Sequence, residues 1–443
     1  MDGAAPDTLS QLRAGRLAGL ERLDLSCGLT AFPREIFALA ESLEVLNLSG
    51  NALQSLPDDL PRLRRLRVLF CSDNRFTELP AVLGRCARLD IVGFKANRIE
   101  HVPEAALAPS LRWLILTDNR VEALPDSLGR CTRMQKLMLA GNRLRALPAT
   151  LADCRNLELL RVSANAFETV ADALPEPLLA LPRLSWLALA GNPYNDAHET
   201  QTAQAQPVAR IPWSALQLRA RLGEGASGVI HEALWQRADA PPQAVAVKLF
   251  KGSITSDGLP RSEMAASIAA GAHRHIVGVE GRVGEHPDGT QGLVLRKIPP
   301  GFTNLAAPPS LASCTRDVYA DGTRFSAARA QRIARGIAAA LAHLHARGLA
   351  HGDLYAHNIL VDDAGDSLLG DFGAASFLPA GDAARSDALM RMDRRALGWL
   401  FDELAERCDD ARALDSVRVA AQGPDSERTP VRRGPPSGHA FQN

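Results

Sequence analysis

The sequence predicts two units of different fold class, an α/β solenoid built of short repeats followed by an α+β domain. Apolar residues recur with a period of about 23 residues from residue 17 to residue 196, which is typical of a solenoid. A polar stretch rich in Gln and Ala follows, and the period ends there. From Trp213 onward, apolar segments of strand length alternate with Gly-rich turns, which indicates a second domain of another architecture.

Length and composition limit the classes of function. The chain has 443 residues, more than one hydrophobic core usually serves, and 46% of them are hydrophobic. Its 50 basic and 50 acidic residues give no net charge, so we expect neither nucleic acid nor a membrane surface as the main partner. No apolar run is long enough to span a bilayer, and the first residues lack the pattern of a signal peptide. Seven Cys residues without close pairing fit reduced thiols, and we therefore expect a cytoplasmic protein.

The first half repeats the pattern Leu-x-x-Leu-x-Leu-x-x-Asn-x-Leu, which resembles leucine-rich repeats. The most regular position is an Asn that recurs every 22 or 23 residues, at Asn51, Asn74, Asn97, Asn119, Asn142 and Asn165. An irregular opening repeat and a closing repeat bracket these six, which gives about eight repeats. Each repeat contributes one short strand, and repeats must stack because one alone cannot bury its apolar face. The Asn amide is expected to satisfy backbone groups in the turn after the strand.

The outward positions of the strands form the concave face of such a solenoid, and several of them are apolar. These positions are Phe70, Ile91, Trp113, Ile115 and Met138. The basic residues that flank them are Arg112, Lys136 and Arg161. Aromatic and Arg side chains on a surface suit the recognition of a protein, so we predict that a protein ligand binds the concave face. Exposed apolar residues are also common without any partner, and this alternative stays open.

The changes in pattern give a set of predicted boundaries. Residues 1–16 form an N-terminal lead-in, residues 17–196 form the solenoid and residues 197–212 form a linker. The second domain extends over residues 213–408. Residues 409–443 are rich in Pro, Arg and Gly, and we predict that they form a poorly ordered tail.

The second domain opens with a glycine-rich turn between two predicted strands. Residues 222–230 read Leu-Gly-Glu-Gly-Ala-Ser-Gly-Val-Ile. Glycine lets a hairpin lie close over phosphates, with backbone N–H groups facing their oxygens. An apolar strand, Val-Ala-Val-Lys, ends at Lys248, and a helix-prone segment that contains Glu263 follows. The glycine-rich turn alone is a weak signal, because plain hairpins contain it as well.

A polar loop over residues 351–358 follows a predicted helix over residues 326–347. The loop reads His-Gly-Asp-Leu-Tyr-Ala-His-Asn, so an Asn stands five residues after an Asp. An Asp-Phe-Gly triplet begins at Asp371, and Asp393 lies in a later predicted helix. These motifs, in this order and at these spacings, resemble the motifs of protein kinases, and the resemblance covers residues 213–404.

The resemblance implies a bilobal α+β fold that binds ATP and Mg²⁺ between its lobes. It implies that Lys248 holds the α and β phosphates and pairs with Glu263. It also implies that Asp353 accepts the proton of the attacking hydroxyl. Mg²⁺ would be bound by Asn358 and Asp371, whose side chains offer the oxygen ligands that this ion prefers.

Further roles follow from the same resemblance. The other expected nucleotide contacts come from the glycine-rich hairpin and from apolar residues near the adenine, namely Leu222, Gly223, Gly225, Gly228, Ile230, Ala246 and Leu360. Asp393 would accept hydrogen bonds from backbone N–H groups of the loop over residues 351–358. The substrate is expected to be a protein.

Three features depart from the kinase pattern. Gly352 replaces an Arg that, in the family, meets a phosphate on the activation segment. Tyr355 replaces the Lys that Ser/Thr kinases place near the γ-phosphate, and this loss weakens the stabilisation of charge in the transition state. The segment between Asp371 and Asp393 is short and lacks Ala-Pro-Glu, so the platform for a peptide substrate is reduced or missing.

These departures leave three interpretations open. The first, which we favour, is an ATP-dependent protein kinase, expected to act on Ser/Thr, whose partner is recruited by the repeats. The second is a repeat scaffold whose kinase-like domain is weakly active or inactive. The third is a small-molecule phosphotransferase, which the short activation segment favours and the intact glycine-rich and Asp-Phe-Gly motifs oppose. The sequence names neither the repeat ligand nor the phosphorylated hydroxyl.

Overall fold

The computed structural model describes residues 7–205, 208–252 and 254–422, and it begins with the predicted α/β solenoid. Eight parallel strands form one sheet in chain order. Neighbouring strands pair without a shift, so that Leu46 lies opposite Leu69 and Leu69 opposite Val92. The strands are β1 (Arg22–Asp24), β2 (Val45–Asn47), β3 (Val68–Phe70), β4 (Ile91–Gly93), β5 (Trp113–Ile115), β6 (Lys136–Met138), β7 (Leu159–Arg161) and β8 (Trp186–Ala188).

Short helices line the side of the solenoid opposite the strands. Six are 3₁₀-helices, at Arg34–Leu39, Leu60–Arg62, Ala81–Arg85, Glu104–Ala106, Asp126–Arg130 and Ala149–Asp153. Five of these six have a Pro as the residue just before the helix, where the missing N–H costs no helical hydrogen bond. The α-helices of this unit are α1 (Thr8–Arg13), α2 (Val170–Ala173), α3 (Glu176–Leu179) and α4 (Pro193–Ala205).

The repeated Asn residues hold successive turns together, as the sequence predicts. The Asn74 amide nitrogen donates to the carbonyl oxygen of Leu48 at 2.9 Å, and its oxygen accepts from the Leu53 N–H at 2.9 Å. Each such Asn therefore satisfies backbone groups of the preceding repeat that would otherwise be buried unpaired. The residue before the Asn has a positive φ throughout, at Gly50, Asp73, Ala96, Asp118, Gly141, Ala164 and Gly191.

The second unit begins with a six-stranded sheet in the order β10-β11-β12-β14-β13-β9. Its strands are β9 (Ala209–Pro212), β10 (Leu216–Glu224), β11 (Gly228–Arg237), β12 (Ala240–Phe250), β13 (Val279–Gly284) and β14 (Gly292–Arg296). Helix α5 (Pro260–Ala270) packs on this sheet through Ile268, which lies in one cluster with Phe250 and Leu293. These elements form the smaller lobe of the bilobal α+β fold.

Helices dominate the larger lobe. They are α6 (Ala327–Ala346), α7 (Ala383–Glu406) and α8 (Asp415–Gln422), with a 3₁₀-helix at Ala411–Leu414. Small sheets contain β15 (Thr303–Asn304), β16 (Leu349–Ala350), β17 (Ile359–Val361), β18 (Ser367–Leu369) and β19 (Ser376–Phe377). Helix α6 starts where the Ser326 hydroxyl accepts from the Arg329 N–H, and Ile333, Ile337 and Leu341 bury one face. Among the described helices, none is both long and apolar enough to cross a membrane.

The predicted linker over residues 197–212 has regular structure of its own. Helix α4 extends through residues 197–205, and β9 joins the sheet of the smaller lobe by pairing in parallel with β13. Residues 206–207 lie outside the described residues. Polarity suggested a linker, but the Glu199 carboxylate is buried, where it accepts from the Ser262 hydroxyl of α5 at 2.6 Å. Polar residues therefore serve a contact between the two units here.

The predicted tail over residues 409–443 is wrong for its first part. Residues 411–422 form the 3₁₀-helix and α8, and Leu414 and Val417 are buried in the core of the larger lobe. An apolar residue at every third or fourth position of this segment indicates a helix, whereas the Arg and Asp residues around it favour a tail. Residues 423–443, and residues 1–6 of the predicted lead-in, lie outside the described residues.

The two units share a hydrophobic core. The cluster that fills the solenoid also contains Ala350 of β16 and Leu389 and Met392 of α7. Conversely, Leu159 of β7 and Trp186 of β8 belong to the cluster of the larger lobe. Apolar contact of this kind is typical of a permanent interface, so the last repeats and the larger lobe pack as one body.

Candidate active site

A buried ion pair joins the sheet of the smaller lobe to its helix. The Lys248 ammonium on β12 contacts the Glu263 carboxylate on α5, as the sequence predicts. Their side chains are 14% and 5% exposed. Burial raises the pKa of Glu263, and the Lys248 ammonium opposes this rise. The pair fixes the Lys248 side chain toward the space between the lobes.

The glycine-rich segment forms the hairpin between β10 and β11. The Gly225 N–H donates to the Gly228 carbonyl at 2.9 Å and closes the turn. A Cβ at Gly223 or Gly225 would meet nothing within 4 Å, so both backbones border open space. Gly228 is different, because a Cβ there would lie 2.5 Å from the Leu249 carbonyl oxygen. The first two glycines leave room for a ligand, and the third allows close packing within the sheet.

The predicted adenine contacts lie on strands of both lobes. Ala246 is buried on β12, two residues before Lys248, and Leu360 is half-buried on β17, two residues after Asn358. Ile230 on β11 is also half-buried, whereas Leu222 is 53% exposed. Nucleotide contact by these residues stays a prediction.

Asp393 of α7 holds the backbone of the polar loop. Its carboxylate accepts from the N–H groups of His351 at 2.7 Å and Gly352 at 2.9 Å, which confirms the role predicted for it. The His345 ring also lies 2.9 Å from this carboxylate. The His351 ring contacts the carbonyl oxygen of Gly370 at 3.0 Å and so links the loop to the Asp-Phe-Gly segment. These contacts fix the loop before any substrate arrives.

Asp353 and Asn358 contact each other within this loop. The Asn358 amide nitrogen donates to a carboxylate oxygen of Asp353 and to its backbone carbonyl, at 2.9 Å each. The Asn358 amide oxygen takes no part in either bond. The Asn358 amide therefore orients the Asp353 carboxylate, and a carboxylate that receives a proton requires such a fixed position.

Asp371 lies beside the Lys248–Glu263 pair. Its φ is 54°, and its carboxylate accepts from the Gly373 N–H at 3.1 Å. A Cβ at Gly373 would lie 3.1 Å from the Asp371 carboxylate and 4.0 Å from that of Glu263. The structure therefore brings residues of both lobes together around the start of the Asp-Phe-Gly segment.

A residue of the solenoid also enters this group. The Arg161 side chain on β7, which is 2% exposed, contacts the Asp353 carboxylate. It also donates to Asp257 at 2.8 Å and to the Gly352 carbonyl at 3.1 Å. We predicted Arg161 as a basic flank of a partner surface, and this interpretation is wrong because the second unit covers it. Arg161 and Asp353 are 192 residues apart, and no local pattern connects them.

The cation changes the proton affinity of two carboxylates. Burial alone would raise the pKa of Asp353, but the Arg161 guanidinium outweighs it and holds that pKa below its ordinary value. Burial raises the pKa of Asp257 to about 6, although Arg161 opposes this rise. Asp353 is therefore ionised at neutral pH, as a residue that accepts a proton must be.

The predicted partner surface is partly covered. Phe70, Trp113 and Ile115 are half-buried, and the Trp113 indole N–H points at the Met138 sulfur at 3.2 Å. Met138 also packs against the core of the larger lobe. Ile91 is 1% exposed, because Val68 and Trp113 lie beside it in register. Ile91 therefore cannot contact a partner, which corrects this part of the prediction.

The second unit also covers the flanking basic residues. Arg112 donates to the Leu311 carbonyl at 3.0 Å. Lys136 is buried, with its ammonium 4.4 Å from the centre of the Trp113 ring. The free part of the concave face therefore lies toward β1–β5, since the described hydrogen bonds to the second unit begin at Arg112, just before β5.

A cavity of about 290 Å³ is lined by residues of both lobes. Its lining comes from residues 274–278, residues 296–299, Phe302 and residues 366–368. It includes none of the predicted site residues.

Comparison with known families agrees with the predicted organisation. Residues 16–76 and 109–167 match the family described as leucine rich repeat. Residues 216–407 match the family described as protein tyrosine and serine/threonine kinase. The matches thus fall in the predicted order, with leucine-rich repeats followed by a protein kinase domain.

Individual relatives are distant. The chain is 30% identical over 162 residues to a putative cyclin-dependent kinase F-2 of Oryza sativa subsp. japonica, covering 36% of this chain and 47% of the relative. It is 29% identical over 197 residues to the leucine-rich repeat receptor-like protein kinase PXC2 of Arabidopsis thaliana, covering 42% of this chain and 18% of the relative. It thus spans less than half the length of either relative. A leucine-rich-repeat protein of Leptospira interrogans is similar at a TM-score of 0.30 and 23% identity, over 40% of this chain and 57% of that one.

Proposed function

We propose that the chain is an ATP-dependent protein kinase that transfers the γ-phosphate to a protein hydroxyl. The observation that carries this proposal is the group formed by the Lys248–Glu263 ion pair, Asp371 beside it, and the Asp353–Asn358 contact. If these residues lay far apart, only the fold would support a kinase function. Their convergence from both lobes supports a site for phosphoryl transfer.

The donor set fits ATP and Mg²⁺. The Lys248 ammonium and the open backbone of Gly223 and Gly225 suit a triphosphate. Among residues 7–205, 208–252 and 254–422, no group of three or more His, Cys, Asp or Glu side chains could hold a metal. Asp371 and Asn358 would therefore share the ion with phosphate oxygens, as Mg²⁺ sites in kinases do. Bound Mg²⁺ would neutralise charge on the phosphates.

In the proposed reaction, the acceptor oxygen forms a bond to the γ-phosphorus, and the bond from that phosphorus to the bridging oxygen of ADP breaks. The hydroxyl proton passes to the Asp353 carboxylate. Lys248 holds the phosphates that stay on ADP, and Asn358 keeps Asp353 oriented. ADP and a phosphate ester leave.

The acceptor and the partner are part of the proposal. Relatives named as serine/threonine-protein kinases favour a Ser or Thr acceptor. The repeats would recruit a protein through the uncovered part of the concave face, at Phe70, Trp113 and Ile115. The cytoplasmic location stays a prediction from the sequence.

Replacement of the proposed base provides the direct test. We expect Asp353→Asn to lower transfer of label from ATP to dephosphorylated casein by about 100-fold or more, because an Asn amide cannot accept the proton. ADP binding should persist, since Asp353 does not hold the nucleotide. Asp363→Asn, an exposed residue after β17, is the matched control and should keep full activity.

The same assay separates the three interpretations. Transfer to casein or to the chain itself that disappears in Asp353→Asn supports the proposal. Nucleotide binding without transfer would replace it with a scaffold function. Label that appears only on small hydroxyl compounds would replace it with a small-molecule phosphotransferase.

A further inference from the structure

Arg161 is the solenoid residue that enters the catalytic group. Its guanidinium contacts Asp353, donates to the Gly352 carbonyl at 3.1 Å and reaches Asp257 at 2.8 Å. Asp257 lies just before α5, the helix that bears Glu263. One side chain from the repeats thus connects the polar loop of the larger lobe to the entrance of the helix in the smaller lobe.

Two of the three departures from the kinase pattern, at Gly352 and Tyr355, face the solenoid. Gly352 has a φ of 70°, and a Cβ there would lie 2.4 Å from the Leu187 carbonyl oxygen of β8. No side chain fits at that position, because solenoid backbone occupies the space. The Tyr355 ring stacks on the Trp186 ring of β8, with centroids 4.3 Å apart and an angle of 8°. The loop has therefore lost two basic side chains where the repeats pack.

Further contacts show that this packing is a built interface. The Trp186 indole N–H donates to the Leu354 carbonyl at 3.0 Å. The Leu189 N–H donates to the Ser376 hydroxyl at 3.2 Å, and the Trp399 indole N–H donates to the Ser185 hydroxyl at 3.1 Å. Together with the shared core, these bonds argue against a solenoid that only blocks the site and then dissociates from it. Arg161 is therefore a fixed member of the group.

We propose that Arg161 is a positioning residue for phosphoryl transfer, supplied by the repeats to hold Asp353 and to provide the positive charge that the polar loop lacks. This inference rests on the proposed function. Arg161 is the cation that contacts Asp353, and Tyr355 stands where a Lys is usual. A guanidinium with several donors in a fixed plane can hold Asp353, Asp257 and the loop carbonyl at once, which an ammonium does less well.

The repeats consequently have a second task besides any recruitment of a partner. They complete the catalytic loop of the domain that follows them. The binding of nucleotide should be independent of this task, because Lys248, Glu263 and Asp371 lack a direct contact with Arg161 among the described hydrogen bonds and ion pairs. Loss of Arg161 should therefore affect turnover and spare ATP affinity.

The experiment compares Arg161→Lys and Arg161→Ala with wild type in the full chain. We expect kcat for label transfer to casein to fall on the order of 100-fold in Arg161→Ala, while KM for ATP changes less than about twofold. Arg161→Lys should retain more of the rate than Arg161→Ala. Added guanidinium ion at millimolar concentration should restore part of the rate of Arg161→Ala and leave wild type unchanged. Arg143→Gln, an exposed Arg one repeat earlier, is the control and should behave as wild type.

Folding and function are separated by ADP binding, measured for every variant by calorimetry. A variant that binds ADP as wild type does has an intact smaller lobe, and its loss of kcat then supports the inference. Equal or higher kcat in Arg161→Ala would overturn the inference and indicate that the repeats restrain activity. Failure of guanidinium or Lys to restore any rate would also overturn it, since a purely structural role predicts that result. A wild-type chain that transfers no label would overturn the proposed function and this inference with it.

Discussion

Single residues of the candidate site differ in how far the sequence could predict them. Lys248, Glu263 and Asp393 stand in motifs with fixed spacing, and the structure gives them the partners that the kinase pattern implies. Arg161 carries no such motif. Its role depends on how the solenoid packs on the second unit. The spacing of motifs along the sequence does not reveal that Arg161 and Asp353 lie close together. The one available hint was negative, namely the missing positive charge at Gly352 and Tyr355.

Glu403 provides a prediction at the same scale. It lies in α7, and the Tyr319 hydroxyl contacts its carboxylate at 3.1 Å. Burial, followed by the nearby Asp317, raises the pKa of Glu403 to about 7, although Arg316 opposes this. In the unfolded chain the pKa is ordinary, so the folded state holds this proton more tightly. The stabilising contribution is complete below about pH 4.5 and is lost as the pH rises to about 7.

We therefore expect Glu403→Gln to raise the free energy of unfolding above pH 7 by about 1–3 kcal/mol and to leave it nearly unchanged at pH 4.5. Urea unfolding of wild type and variant at several pH values measures this. Glu406→Gln, an exposed neighbour in the same helix, is the control and should give no pH-dependent difference. An equal effect of Glu403→Gln at both pH values would contradict the assignment of the raised pKa.

Elements were predictable where a period repeats and unpredictable where packing decides. The eight strands follow from a hydrophobic pattern that neighbouring repeats reinforce. Helix α8 has an apolar period, but its Arg and Asp residues and the Pro- and Gly-rich segment after it favour a tail in the sequence. Helix α4 has 13 residues without an apolar period, and its contact with α5 joins residues far apart in the sequence. Local composition cannot reveal such contacts.

The turn before each Asn gives a prediction for an element. Ala96 has a φ of 53°, a conformation that is unfavourable for a residue with a Cβ. Three other repeats have Gly at the equivalent position, at Gly50, Gly141 and Gly191. Ala96→Gly should stabilise the chain by about 0.5–1 kcal/mol, the relief of strain less the greater entropy lost by Gly on folding.

Urea unfolding monitored by circular dichroism measures this change. Ala87→Gly, at an exposed position without a positive φ, is the control and should be neutral or destabilising. A destabilising effect of Ala96→Gly as large as that of the control would show that the turn is unstrained.

At the scale of the whole molecule, Trp186 is the largest side chain that the units share. It is 1% exposed, stacks on Tyr355 and belongs to the core of the larger lobe. Trp186→Ala should lower the free energy of unfolding by about 3–5 kcal/mol, because it leaves a cavity at the interface. It should also separate the unfolding of the two units into two transitions and lower kcat, because Arg161 is then poorly held.

The matched control is Trp113→Ala, three strands earlier in the sheet order and half-buried on the concave face. It should cost clearly less stability and leave catalysis unchanged. Unfolding is followed by tryptophan fluorescence and by circular dichroism on the same samples. If the two variants lose equal stability and both unfold in one transition, the interface does not depend on Trp186.

The position of Arg161 also constrains how such chains can grow. Adjacent strands lie about 4.8 Å apart, so one repeat inserted between β7 and the kinase domain would carry the guanidinium a full strand away from its carboxylates. Among the described residues, Arg112 is the first residue of the solenoid along the chain that forms a hydrogen bond with the second unit, and the repeats before it form none. Repeats can therefore be added or removed at the N-terminal end of the solenoid. Related or designed chains with a different number of repeats should keep the repeats nearest the kinase domain unchanged.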